Sequence, residues 1–127
     1  MECRLTPLFD NGTSLGYERF PADVMNWDEV RVDKYINKGN HLLRWTLAEN
    51  QPEIRGHFNL LERALLEWPE IRAEVGSKLN FSKSELSDSI IDLCQLDVPV
   101  KLSADRMEFI IRLTERRLNK LKSIFNE

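Results

Sequence analysis

SADRMEFIIRLTERRLNKLKSIFN, residues Ser103 to Asn126, is the longest unbroken helical pattern in the chain and decides its fold class. Met107, Ile111, Thr114, Leu118, Leu121 and Phe125 recur in alternating steps of four and three, which places them along one seam of an α-helix. Ile110, Leu113 and Ile124 widen that seam into a broad apolar face. At the start, the Ser103 hydroxyl can accept from an orphan backbone N–H, and Asp105 suits the positive helix end. Arg106 stands where a capping box would place Glu or Gln, so the cap is partial. At 1.5 Å per residue the rod is about 36 Å long, roughly the diameter of a small domain. The expectation is a spine for a monomer's core. The same pattern also admits a homodimer through 103–126 as a coiled coil; Thr114 in mid-seam and the breadth of the face weigh against it.

The other elements follow from the residues that punctuate them. Pro52 suits a first helical position, and Ile54, Phe58, Leu61, Leu65 and Trp68 repeat by four and three up to Pro69, predicting a second helix over 52–68. This helix and the last one are the expected main packing partners. Pro69 to Val75, closed by Gly76, reads as a further short helix. Ser82-Lys83-Ser84-Glu85 has capping-box spacing and opens a helix whose stripe is Leu86, Ile90, Leu93 and Cys94, ending before Asp97-Val98-Pro99. Pro21 to Asn26 reads as a connector. Asn26 is expected to cap a helix to about Asn37, with Trp27, Val30, Tyr35 and Ile36 inward, Val32 on the other side, and Gly39 in a left-handed stop. A short helix is expected over roughly His41 to Glu49. Residues 2–20 pattern as two extended runs around Asp10-Asn11-Gly12-Thr13, hence a β-hairpin or an extended arm.

The reading is therefore a mostly α fold, a compact bundle of five to six helices with a small N-terminal β-hairpin or arm. Residues 1–127 form a single domain, with the hairpin or arm over 1–22 and the helical body over 27–126. A chain of this length can bury a core without metal or disulfide. The N-terminus lacks a basic segment followed by an apolar run, and no apolar run reaches the length of a membrane span. The expected location is cytoplasmic, with Cys3 and Cys94 as reduced thiols and no cofactor.

Catalytic patterns are sparse: no Gly-rich phosphate loop, no CxxC pair and no His-Glu-x-x-His occur. His41 and His57 have no ligand spacing, so satisfied structural or surface histidines are expected. Cys94 falls on an apolar stripe, the setting of a small core residue. The chain reads as a binding protein, not an enzyme.

Net charge is −3 overall, yet residues 101–127 carry +3 and the rest −6. Acidic positions Glu62, Glu67, Glu70 and Glu74, beside Trp68, suggest a helical face for a basic protein partner, since Trp is enriched at interface hot spots. By class-level analogy, immunity proteins, antitoxins and phage-encoded inhibitors use acidic surfaces in this way. The alternative is a nucleic-acid-associated accessory factor, in which Arg112, Arg116, Arg117, Lys120 and Lys122 on the last helix neutralise phosphates.

Overall fold

Helix-forming runs separated by short connections give a mostly helical chain in the structure, a computed structural model that describes residues 15–16, 20–41, 43–50 and 53–126. A 3-10 turn, Pro21–Asn26, leads into α1 (Glu29–Lys38), α2 (His57–Glu67), α3 (Ile71–Lys78), α4 (Lys83–Ile91), a second 3-10 turn (Asp92–Cys94) and α5 (Ala104–Asn126). The described residues contain no strand. The hairpin or arm expected over 1–22 lies outside them, apart from 15–16 and 20–22. No helix is long and apolar enough to cross a membrane among the described residues.

The last helix forms where its pattern predicts. Ser103 Oγ accepts from Arg106 N at 3.2 Å, which satisfies one of its orphan donors. Its buried side falls within the expected broad face, with Phe109 added to it. Phe109, Ile110, Ile111, Leu113, Leu118 and Ile124 are buried, and Phe109 and Leu113 lie deepest. Phe109 belongs to the central cluster with Val24, Trp27, Val32, Ile36 and Leu113, against which Tyr35 and Phe58 pack. Trp27 meets Tyr35 and Phe109 edge-on, at centroid separations of 5.2 and 5.1 Å. This is the geometry that aromatic quadrupoles favour. Gly16 is buried against Phe109 with φ +81, and an added Cβ there would stand 2.5 Å from the ring. Only glycine allows both the backbone angle and the approach.

Several expectations are corrected by this packing. The main partners of α5 are the Pro21–Asn26 turn, α4, α1 and α3, rather than α2. The connector became a partner because Val24 is fully buried within it. Asp28, not Asn26, caps α1, accepting from Arg31 N at 2.7 Å. The packing of Val32 and Ile36 in the central cluster sets the phase of α1: Val32 is 1% exposed and Val30 74%, the reverse of the predicted faces. Gly39 ends α1 at φ −57, not in a left-handed stop. The helix expected from Pro52 begins only at His57, because Gly56 at φ +86 breaks the helical path before it. Gly76 lies inside α3 instead of closing it. A Cβ there would contact Phe125 Cδ1 at 3.4 Å, so the two helices approach closely at this point.

Candidate protein-binding surface

The helix expected over His41 to Glu49 does not form. Residues 43–50 are bends and turns, wound around one carboxylate. Glu49 Oε2 accepts from Trp45 N at 3.1 Å and Glu53 N at 3.4 Å, and Oε1 accepts from Thr46 N at 3.0 Å. Arg44 Nη1 donates to the Glu49 carbonyl at 3.0 Å. Burial pushes the Glu49 carboxyl pKa up, but these donors outweigh it and hold the group below the usual glutamate value. The sequence did carry a signal: Thr46-Leu47-Ala48-Glu49 has the hydroxyl-x-x-Glu spacing of a capping box. Here the carboxylate serves the loop's own N–H groups and no helix follows.

That loop presents Trp45 to α2. Its ring lies 5.3 Å from that of Trp68, tilted by 33°. The Arg63 guanidinium sits 5.3 Å from the Trp45 centroid and is itself bonded to Glu67 at 3.1 Å. Trp68 is the last residue of the α2 turn, its N–H donating to Ala64 O at 2.8 Å, and it remains 47% exposed. Proline at 69 cannot continue the helix, so the indole is left at an end rather than on a packed flank. Leu43, Leu47 and Leu66 are also exposed, Leu47 almost completely at 98%. Trp45, Thr46, Ala48, Glu49, Glu53, Ile54 and Arg63 enclose an open cleft of about 390 Å³ beside this pair.

The four predicted acidic residues are all exposed but do not share one face. Glu62 and Glu67 are five positions apart on α2, hence roughly 140° apart around it. Glu70 lies in the turn before α3, and Glu74 on α3. Glu67 and Glu70 flank Trp68 in the chain.

The basic side of α5 is engaged within the fold. Arg112 Nη2 donates to Trp27 O at 2.6 Å. Arg116 donates through Nε to Asp33 Oδ1 and through Nη2 to Oδ2 at 2.6 Å, and its Nη1 lies 3.4 Å from Glu29. The hydrogen bond from Arg116 holds the Asp33 carboxyl below its ordinary pKa, and that bond in turn raises the guanidinium's own. Lys120 Nζ donates to Asn37 Oδ1 and lies 4.4 Å from the Phe58 centroid. Arg117 sits 5.7 Å from the Tyr35 centroid. Lys122 lines a surface cleft with Arg72 and Phe125.

His41 and His57, unrelated in sequence pattern, come together with ring centroids 5.8 Å apart. The expectation of satisfied histidines fails for His41, whose two ring nitrogens are buried without a hydrogen-bond partner. No group of three or more His, Cys, Asp or Glu suited to a metal occurs among the described residues. Cys94 Sγ packs 3.6 Å from Met107 Sδ, half-buried between the second 3-10 turn and α5. No protein-family model, curated protein or solved structure matches the chain.

Proposed function

We propose that this chain is a small protein-interaction module that binds a basic protein surface through the Trp45–Trp68 end of α2. The exposure of Trp68, set at a tilt against Trp45 and flanked in the chain by Glu67 and Glu70, carries this reading. An indole held by a neighbouring ring has lost little additional freedom when a partner covers it. The Glu70 carboxylate, two positions on, favours arginine or lysine on that partner, while Glu67 would exchange Arg63 for it. An inhibitor, immunity or antitoxin-like role is the form of this function in which the covered surface is another protein's nucleic-acid site.

The alternative, a nucleic-acid-associated accessory factor acting through α5, has weaker support. Arg112, Arg116 and Lys120 already bond to Trp27, Asp33 and Asn37, so phosphates would have to compete with those partners.

Capture from source-cell lysate separates the two, with wild type and Trp68→Ala compared, each with and without nuclease. A stoichiometric protein that survives nuclease and is lost with Trp68→Ala supports the module. Truncating a hot-spot Trp typically weakens binding by at least about thirtyfold. Enrichment that disappears with nuclease and is indifferent to Trp68 sinks it in favour of the α5 reading.

A further inference from the structure

The two sides of α1 carry opposite arrangements of charge. Its acidic residues Glu29 and Asp33 turn toward α5, where Arg116 binds both. Its outward positions are Val30, Arg31, Lys34 and Lys38, which recur at three- and four-residue steps and so share one face. Together with Trp27, Asp28 and Tyr35 they line a shallow groove of about 540 Å³. Val30 protrudes into solvent at the edge of the row of cations. Trp27 forms a buried floor, with the Arg31 guanidinium 4.5 Å from its ring centroid. Asp28, the one acid among the described residues of the groove, is turned to the helix start, where it caps Arg31 N. Lys34 and Lys38 have no ion-pair partner among the described residues.

We infer that this outer face of α1 is a second docking site, whose occupant is an acidic protein segment carrying an aliphatic or aromatic side chain. Lys34 and Lys38 against one capping acid among the described residues leave the groove with a net positive field, which selects carboxylates by complementarity. The exposed Val30 and the half-buried Tyr35 supply apolar contact on either side of the cations, which a segment carrying both apolar and acidic residues matches and a phosphate backbone does not. Base stacking is disfavoured as well, because Trp27 is buried beneath Arg31 and packed against Tyr35 and Phe109. The site is separate from the Trp45–Trp68 surface and opposite to it in charge, so the module would join a basic partner and an acidic one.

Fluorescence anisotropy with labelled peptides of about twelve residues tests this, a length that spans a short helical or extended docking segment. The probe is a Glu-rich peptide with two Leu four residues apart; the controls are the same peptide with Ser for Leu, and an oligothymidylate of similar length. The Leu-containing peptide should bind best. Lys34→Glu with Lys38→Glu should weaken it by about tenfold, as should Val30→Ser, while Trp68→Ala should leave it unchanged. Lys34→Gln with Lys38→Gln repeats the test should the reversal variant not fold. The inference is overturned if the three probes bind alike, if binding ignores Lys34 and Lys38, or if the oligothymidylate binds most tightly. It is equally overturned if sedimentation shows that the face serves a second copy of the chain, with self-association lost in the Lys34/Lys38 variants and no peptide bound.

Discussion

Arg116 grips both carboxylate oxygens of Asp33, 83 residues earlier in the chain, and so fixes the middle of α5 against α1. The bidentate fork matches the carboxylate plane and sets register as well as charge. Glu29 adds a second, longer contact to the same guanidinium. Because both groups are partly solvated, the pair acts chiefly on the angle and phase at which the two helices meet. Arg116→Ala and Asp33→Asn should each lower the thermal midpoint, and the double variant should lose less than the two losses added. A double-mutant cycle by thermal denaturation checks the coupling; strict additivity would show that the contact does not hold α1 in place.

The same carboxylates set an acid limit. Asp33, Glu49 and Glu85 all have folded pKa values below their ordinary ones: Asp33 chiefly through Arg116, Glu49 through backbone donors that outweigh its burial, and Glu85 through its capping bond to Ser82. In this pH range the unfolded chain therefore binds more protons than the folded one. The stabilisation is present above the unfolded values near about pH 4 and is lost as pH falls through the lower folded ones. Urea midpoints should be level from neutral pH to about pH 5 and decline below it. Glu49→Gln should lower the midpoint at neutral pH and flatten that decline, and an unchanged acid slope in this variant would remove Glu49 from the account.

A substitution pair tests the phase of α1. Val32→Ala should cost about 1.5–3 kcal/mol, the value of a buried valine side chain. Val30→Ala should change stability by less than about 0.5 kcal/mol, as at most exposed positions. Chemical denaturation gives both numbers, and equal losses would return Val30 to the core.

Gly16 is held by two separate demands, a positive φ and the ring of Phe109. Gly16→Ala should therefore destabilise by about 1–3 kcal/mol through backbone strain and overpacking. Near-ultraviolet circular dichroism should also change, because Phe109 packs on Trp27. A variant with an unaltered spectrum and midpoint would mean that the segment can move away.

Leu118→Ala should cost about 2–5 kcal/mol if α5 is the spine of the core. A monomeric variant of unchanged stability would dismiss that role for this end of the helix.

The helical class, the extent of the last helix and the capping box at Ser82 were legible in the sequence. Each depends on residues within a few positions of one another: 3.6-residue apolar spacing, a hydroxyl three residues before a glutamate, a proline that stops a helix. Face assignment was less legible. Phe109 and Val32 look no more buried by spacing than Met107 and Val30, because both valines and both α5 residues are apolar and adjacent phases of the helix fit the pattern almost equally. Packing in the cluster of Val24, Trp27, Val32, Ile36, Phe109 and Leu113, and the Arg116 clasp across 83 residues, choose between those phases. The loop around Glu49 was hidden for a related reason. Its residues have reasonable helix propensity, a weak preference that three part-buried N–H donors to a single carboxylate override. The pairing of Trp45 with Trp68, and the outward row of Val30, Lys34 and Lys38, arise only when α1 and α2 are set against the rest of the fold. The sequence by itself determined the helical class, the extent of α5 and the capped start of α4, because each rests on residues a few positions apart. Tertiary structure decided which side of each faces inward, because burial and long-range ion pairs couple residues that local spacing cannot compare.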